Sequence, residues 1–249
     1  TQISDIEDLT THGANAIIIV PNVSSSLATV LERAKRAGIT VIAVDTAVEP
    51  ASAADSFVAT DNLKGGIEDG QWAKATMGGK KPVVALLEGT PASSVNTDRM
   101  GGFLQGMGMQ KSQAVVDLIT NGDQTKALDA MQNALVAHPD INLVWTINEP
   151  AAFGAYTALK GAGQAAKVTI VTMDGSCRGI HGVADGQFGA DVMQFPAKMA
   201  QIAIQEAIDA SQGKKIPARV DTGEPLVTLH PEQGVPSIAP SEALKECWG

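Results

Sequence analysis

The sequence predicts an α/β fold in which parallel sheets are covered by helices on both faces. Apolar runs of strand length recur along the chain, and Ala-rich segments of helical spacing separate them. The runs are apolar at nearly every position rather than at alternate ones, the pattern of strands buried on both sides.

Taken in order, "AIIIV" (Ala16–Val20) reads as a strand. The segment Ser24–Ala37 then places Leu27, Val30, Leu31 and Ala34 at i, i+3, i+4 and i+7, one stripe of a helix, and Gly38 follows as its C-cap. "TVIAV" (Thr40–Val44) and "SFVAT" (Ser56–Thr60) are the next strands, and Asp61-Asn62 opens the helix containing Trp72. "PVVALLE" (Pro82–Glu88), "AVVDLI" (Ala114–Ile119), "NLVWTI" (Asn142–Ile147) and "VTIVTM" (Val168–Met173) continue the alternation. Trp145 stands three residues before Asn148 on an extended strand, so it points to the opposite face and reads as core. No low-complexity segment or linker cuts the chain into consecutive domains.

Composition narrows the function. With 249 residues, 44% of them hydrophobic, the chain fills one large α/β core or two lobes. No apolar run approaches the roughly 20 residues that cross a bilayer. The opening "TQISDIEDLT" is neither a basic n-region nor an apolar h-region, so any export signal is expected to be already removed. A net charge of −9 argues against a nucleic-acid partner, which requires a basic face. His12, His138, His181 and His230 are scattered without metal-ligand spacing, so no metal and no cofactor is expected. "GGFLQGMGMQK" lacks the Lys-Ser/Thr of a P-loop, and "KGAGQAAK" follows a helix rather than a strand, unlike a dinucleotide fingerprint. Cys177 and Cys247 form no CxxC; they fit either two buried thiols or a disulfide, and a disulfide requires an oxidising compartment.

One internal echo points to a site. Asn22 and Asp45 stand just beyond two successive strands joined by a helix, and Asn148 and Asp174 stand just beyond another such pair. In open parallel sheets ligands bind outside the carboxyl ends of the strands, so these four are ligand candidates as well as ordinary turn formers.

The segments "GANAIIIVPNVSSSLATVLERAKRAGITVIAVDT", "TDNLKGG", "DAMQNALVAHPDINLVWTINEPAAFGAYTALKGAG", "VTIVTMDGS" and "ADGQFGADVMQFPAKMAQIAI", in this order and spacing, resemble the periplasmic sugar-binding proteins of ABC importers, in the ribose/fructose branch of the type I fold. The resemblance implies two Rossmann-like lobes with parallel sheets: residues 1–60 with 195–222, and residues 61–194 with 223–249, joined by hinges near 60, 195 and 222. It implies a non-enzymatic periplasmic protein that holds a monosaccharide in an interlobe cleft and docks on a membrane permease. Residue by residue it carries ligand roles onto Asp45 in "VIAVDT", Arg99 in "SVNTDRMGGF", Asn148 in "WTINEP", Asp174 in "VTMDGS" and Gln194 in "DVMQFP". The types suit a sugar, whose hydroxyls both donate and accept and are matched by carboxylates, amides and one guanidinium. Each bond to a charged group is worth about 1.5–3 kcal/mol net, enough for micromolar affinity.

The departures are informative. Thr46 follows Asp45 where an arginine is frequent in the family, so the sugar is not transferred from ribose binders. "DGSC" and the terminal "CWG" are similar to fructose-binding members, which favours the Cys177–Cys247 bridge. The family also starts with a strand, a helix and a strand ahead of the helix containing "DIEDLTTHG". The resemblance therefore implies an incomplete first lobe with an unpaired strand edge, open to a missing N-terminal fragment or a strand-edge partner chain. Two other classes compete with transport: the effector domain of a sugar-responsive repressor, and a glycoside-acting enzyme using Asp45 and Asp174 as its carboxyl pair.

Overall fold

Helices and strands alternate along the whole chain in the computed structural model, which describes residues 1–249. In order they are α1 (Gln2–Thr11), β1 (Ala16–Ile19), α2 (Ala28–Arg36), β2 (Thr40–Val44), β3 (Ser56–Ala59), α3 (Asn62–Thr76), β4 (Val84–Glu88), α4 (Ser94–Met107), β5 (Val116–Ile119) and α5 (Gln124–Ala137). Then come β6 (Leu143–Thr146), α6 (Glu149–Gly161), β7 (Thr169–Asp174), α7 (Cys177–Ala184), β8 (Ala190–Met193), α8 (Pro196–Ser211), β9 (Arg219–Asp221), β10 (Leu226–Thr228) and α9 (Pro240–Ala243). No helix is long and apolar enough to cross a membrane.

Two compact units result: Thr1–Asp61 with Ala92–Val95 and Phe195–Thr222, and Asn62–Pro91 with Asn96–Gln194 and Gly223–Gly249. Relative to the boundaries expected from the sequence, Asp61 and Ala92–Val95 fall in the first unit. Ser94 is held there by its hydroxyl, which accepts the Ala47 N–H at 3.0 Å.

The first unit is a parallel sheet in the order β1-β2-β3-β9. Successive residues of β2 serve opposite faces. Val41 and Ala43 pack with Ile17, Leu31 and Ala34 of β1 and α2, while Ile42 and Val44 pack with Met199 and Ala203 of α8. This double burial is why the strands read as continuous apolar runs. At the sheet's end β1 pairs with β2 alone, leaving Ile18 and Val20 exposed. Helix α2 starts at Ala28, later than its apolar stripe suggests. Ser26 bonds the Val23 carbonyl through both its N–H and its hydroxyl, forming a local turn that competes with helix.

The second unit is a six-stranded sheet, β10-β8-β7-β6-β4-β5, parallel except for β10 against β8. Trp145 is fully buried and stacks on Phe103 with ring centroids 5.9 Å apart, as its place on the strand implied. Helices α3 and α4 meet through glycines. A Cβ on Gly66 would lie 2.4 Å from the Arg99 carbonyl oxygen, and one on Gly102 would lie 2.3 Å from that of Leu63. Their backbones therefore touch, and this fixes the stem of Arg99. Three helices begin at side-chain caps: Asp123 accepts the Lys126 N–H, Asn148 the Ala151 N–H and Ser176 the Gly179 N–H. Each cap is worth about 1 kcal/mol. A disulfide joins Cys177 to Cys247, so the bridge, not the pair of free thiols, is the state of the two cysteines.

Candidate functional site

In the second unit the carboxyl ends of β6, β7 and β8 deliver polar side chains to one place. Asp174 closes β7 and is the centre of the group. Its Oδ1 accepts from Arg99 Nη1 at 3.2 Å and from Gln194 Nε2 at 2.9 Å. Its Oδ2 faces the N-terminus of α6, where the Glu149 N–H lies 3.4 Å away. Gln194 is further tied by its N–H to the Asp174 carbonyl at 2.9 Å, so the two residues are held by backbone as well as side chain.

Arg99, 3% exposed, is oriented from three sides. Its Nε donates to Asn62 Oδ1 at 2.8 Å, and its Nη1 donates to the Ile147 carbonyl at 2.9 Å besides Asp174. A buried charge so placed is costly unless it is paired and hydrogen-bonded, and here it is both. Burial pushes the Asp174 carboxyl up to about 6; Arg99 opposes this shift, and neighbouring Glu149 adds to it.

Asn148 lies one residue ahead of Glu149, with its Oδ1 committed to the helix cap. A Cβ on Gly122 would sit 2.5 Å from Asn148 Nδ2, so glycine there lets the loop after β5 lie against the amide. The polar group keeps hydrogen-bonding capacity. Arg99 Nη2, Asn148 Nδ2 and Gln194 Oε1 are outside the bonds described, and Asp174 Oδ2 has only its long contact. Two donors and two acceptors at neighbouring strand ends suit a ligand that presents both functions on each of its groups, as a polyol does.

In the first unit Asp45 stands at the end of β2 in the left-handed backbone region, φ 64°. That conformation is uncommon for a residue with a Cβ, and aspartate tolerates it better than most. Its N–H donates to the Val58 carbonyl at 3.0 Å, and its Oδ2 accepts the Thr46 hydroxyl at 3.2 Å. Asn22 is exposed beyond β1, with its N–H donated to Gln2 Oε1.

Of the five residues assigned ligand roles from sequence, Arg99, Asp174 and Gln194 thus form one hydrogen-bonded group of the second unit, Asn148 stands in the same unit at the cap of α6 without a bond to them, and Asp45 belongs to the first unit. Three participants escaped that reading. Asn62 was read only as a helix opener, yet it orients Arg99. Trp248 donates its Nε1–H to the Asp174 carbonyl at 3.0 Å, and its own carbonyl accepts the Cys177 N–H at 2.9 Å, so the disulfide pins an indole beneath the Asp174 turn. Glu149, 4% exposed, accepts both the N–H and the hydroxyl of Ser176, the cap of α7. A carboxylate directly after a helix-capping asparagine was the available signal for Glu149; for Trp248 it was the place one residue past Cys247, where a bridge would pin the tail, though nothing local pointed to Asp174.

Comparison with known proteins places this geometry. A family profile described as periplasmic binding protein domain matches residues 1–215. The ribose import binding protein of Bacillus subtilis is 34% identical over 215 residues, covering 86% of this chain and 69% of that protein. The ribose import binding protein of Salmonella typhimurium is 31% identical over 226 residues, 91% of this chain and 75% of the relative. Among solved structures, an ABC transporter periplasmic solute binding protein from Actinobacillus succinogenes with bound D-allose is 29% identical, with a TM-score of 0.83 over 91% of this chain and 81% of that one. A solute binding protein from Mycobacterium smegmatis with bound glycerol is 32% identical, with a TM-score of 0.82 over 90% and 78%.

Proposed function

Because the chain belongs to the periplasmic binding protein domain family, whose members bind solutes and catalyse no reaction, we propose that it captures a monosaccharide, ribose-like or fructose, for delivery to the permease of an ABC importer in the periplasm. Asp45, Arg99, Asn148, Asp174 and Gln194 are the proposed ligand contacts. The observation that carries this reading is the Asp174–Arg99–Gln194 group, a buried ion pair with donors and acceptors left over at the strand ends. A sugar hydroxyl that donates to Asp174 and accepts from Arg99 exchanges solvent for charge-assisted bonds. Discrimination between epimers follows from the cost of leaving one of these groups unpaired when a hydroxyl is misplaced. The names of the relatives, which include ribose binders and a D-allose complex, support the size and class of ligand.

The test is a melting-temperature panel of D-ribose, D-allose, D-fructose and their epimers, followed by calorimetric titration. A sugar with a Kd of about 1 μM, present at about 1 mM, stabilises the folded protein by about 4 kcal/mol, a shift well above error. A panel in which no monosaccharide moves the transition overturns the proposal.

A further inference from the structure

Asp191 lies at the centre of β8, fully buried, and both of its oxygens lack a hydrogen-bond donor. After burial, the strongest influence on it is another carboxylate, that of Glu149, through its charge and through hydrogen bonding. Two carboxylates are both acceptors and can bond each other only if one keeps its proton. The register puts Asp191 opposite Thr172 on β7, whose hydroxyl is bonded to that of Thr146 at 2.8 Å.

No cation is paired with Asp191, and the charges that act on it most are negative: Glu149 and Asp174 nearby and Asp69, itself buried without a donor, on α3, the helix that packs on Val192 and Met173 across the sheet. β10 brings no ionisable residue. On α7, His181 and Asp185 are exposed, and exposed Arg178 lies over the Phe153 ring at 3.7 Å. Lys64 of α3 is paired with Glu224 and Glu68, and the Arg99 charge is engaged with Asp174. Burial, then Glu149, hold the Asp191 carboxyl well above the usual carboxylate range.

The partner of Asp191 is equally constrained. Glu149 accepts the Ser176 N–H at 2.7 Å and the Ser176 hydroxyl, and its Oε1 occupies space that only glycine leaves open, since a Cβ on Gly179 would lie 1.8 Å from it. The Glu149 backbone N–H faces Asp174 Oδ2. Glu149 thus braces both ends of the Asp174-Gly175-Ser176 turn.

We propose that Asp191 is a positioning residue for the sugar contacts: it remains a protonated carboxylic acid, donates that proton to Glu149, and through Glu149 holds the Asp174–Ser176 turn in its ligand-accepting geometry. The inference deepens the sugar-binding reading and rests on it for its consequence, though not for its first test. Loss of the shared proton at alkaline pH places two adjacent buried anions behind Asp174, and the turn yields.

The first test needs no ligand. Infrared spectra at neutral pH should show carbonyl absorption of un-ionised carboxyl groups that falls in Asp191→Asn and falls further in the double variant with Asp69→Asn, because Asp69 is also buried without a donor; absorption that does not fall in Asp191→Asn overturns the proposal, whether or not any sugar binds. The second uses D-ribose and D-allose as probes across neutral to alkaline pH. Asp191→Asn keeps a donor toward Glu149 and should hold affinity within about threefold of the parent while abolishing the alkaline loss of binding; Asp191→Val removes the donor and should weaken binding about tenfold or more. Asp191→Val binding like the parent, or an alkaline limb that survives in Asp191→Asn, overturns it. If neither sugar binds the parent protein, the choice of ligand fails and the infrared result alone decides the role of Asp191.

Discussion

Asp174 and Asp45 both end strands of a parallel sheet, but their units hold them by different means. Asp174 is fixed by side chains: Arg99 and Gln194 on one oxygen, the α6 N-terminus facing the other, and Trp248 on its carbonyl. Asp45 is fixed by its backbone, set at φ 64° and tied to Val58, with a single hydroxyl on its carboxylate. The second unit thus pre-organises its carboxylate through a network whose members depend on one another. The first does so through local strain. Pre-organisation by network makes removal of one member costly to the whole, whereas a strained single residue can be changed with its stability and binding effects separated.

The largest expected effect is therefore in the second unit. Arg99→Ala strands the Asp174 carboxylate, the Asn62 carbonyl oxygen and the Ile147 carbonyl in a buried place. Breaking a buried pair by removing one partner costs about 3–5 kcal/mol of stability, and sugar binding should vanish with it. Urea unfolding and calorimetric titration measure the two. A loss below about 1 kcal/mol would show that the network is not what holds Asp174.

The effect at Asp45 should be smaller and should divide. Asp45→Gly relieves the left-handed backbone and should leave stability unchanged or raised by up to about 1 kcal/mol. Affinity for the same sugar should drop by about 1.5–3 kcal/mol, roughly 10- to 150-fold, for the lost charged acceptor. Asp45→Ala should lose the same affinity and also about 1 kcal/mol of stability, because alanine has neither glycine's freedom nor aspartate's local bonds. If both variants destabilise equally, strain is not the device in the first unit, and the contrast fails.

The contrast also explains what was legible in the sequence. The βαβ alternation was, because burial on both faces writes itself as unbroken runs such as "TVIAV" and "VVALL"; the strands read agree with β1 to β7 to within two residues at each end, while the short β8, β9 and β10 were not read. Asp45, Asn148 and Asp174 were visible because a polar residue that interrupts an apolar strand marks its carboxyl end. Arg99 and Gln194 were assigned only by resemblance, since one lies within a helix and the other between β8 and α8. Partners that act across sequence distance left no local mark: Trp248 meets Asp174 over 74 residues and Asn62 meets Arg99 over 37. Asp191 lies in a segment that was not read as a strand, and only the fold shows it buried without a donor.

The smallest expected effect is a pH slope that should belong to the second unit. The Asp174 carboxyl is pushed up to about 6 by burial, from an unfolded value near 3.9. Between these limits the folded chain retains a proton that the unfolded chain has released. The stabilising contribution is therefore complete below about pH 4 and is lost as pH rises through about 6. With each pKa unit worth about 1.4 kcal/mol, and solvent contact at the strand end reducing the effect, about 1–2 kcal/mol should be lost across the window. Relative to Asp174→Asn, the parent should be most favoured near pH 4 and progressively less so toward pH 7, as read by urea unfolding at each pH. Sugar affinity should run the other way and rise through the same window, because a hydroxyl donates more strongly to the ionised carboxylate. The control lies in the first unit, where burial also pushes up the Glu206 carboxyl on α8. If Glu206→Gln removes the slope in stability and Asp174→Asn leaves it intact, the titrating group sits in the sheet-and-helix core of the first unit, and the pH dependence says nothing about the ligand-facing carboxylate.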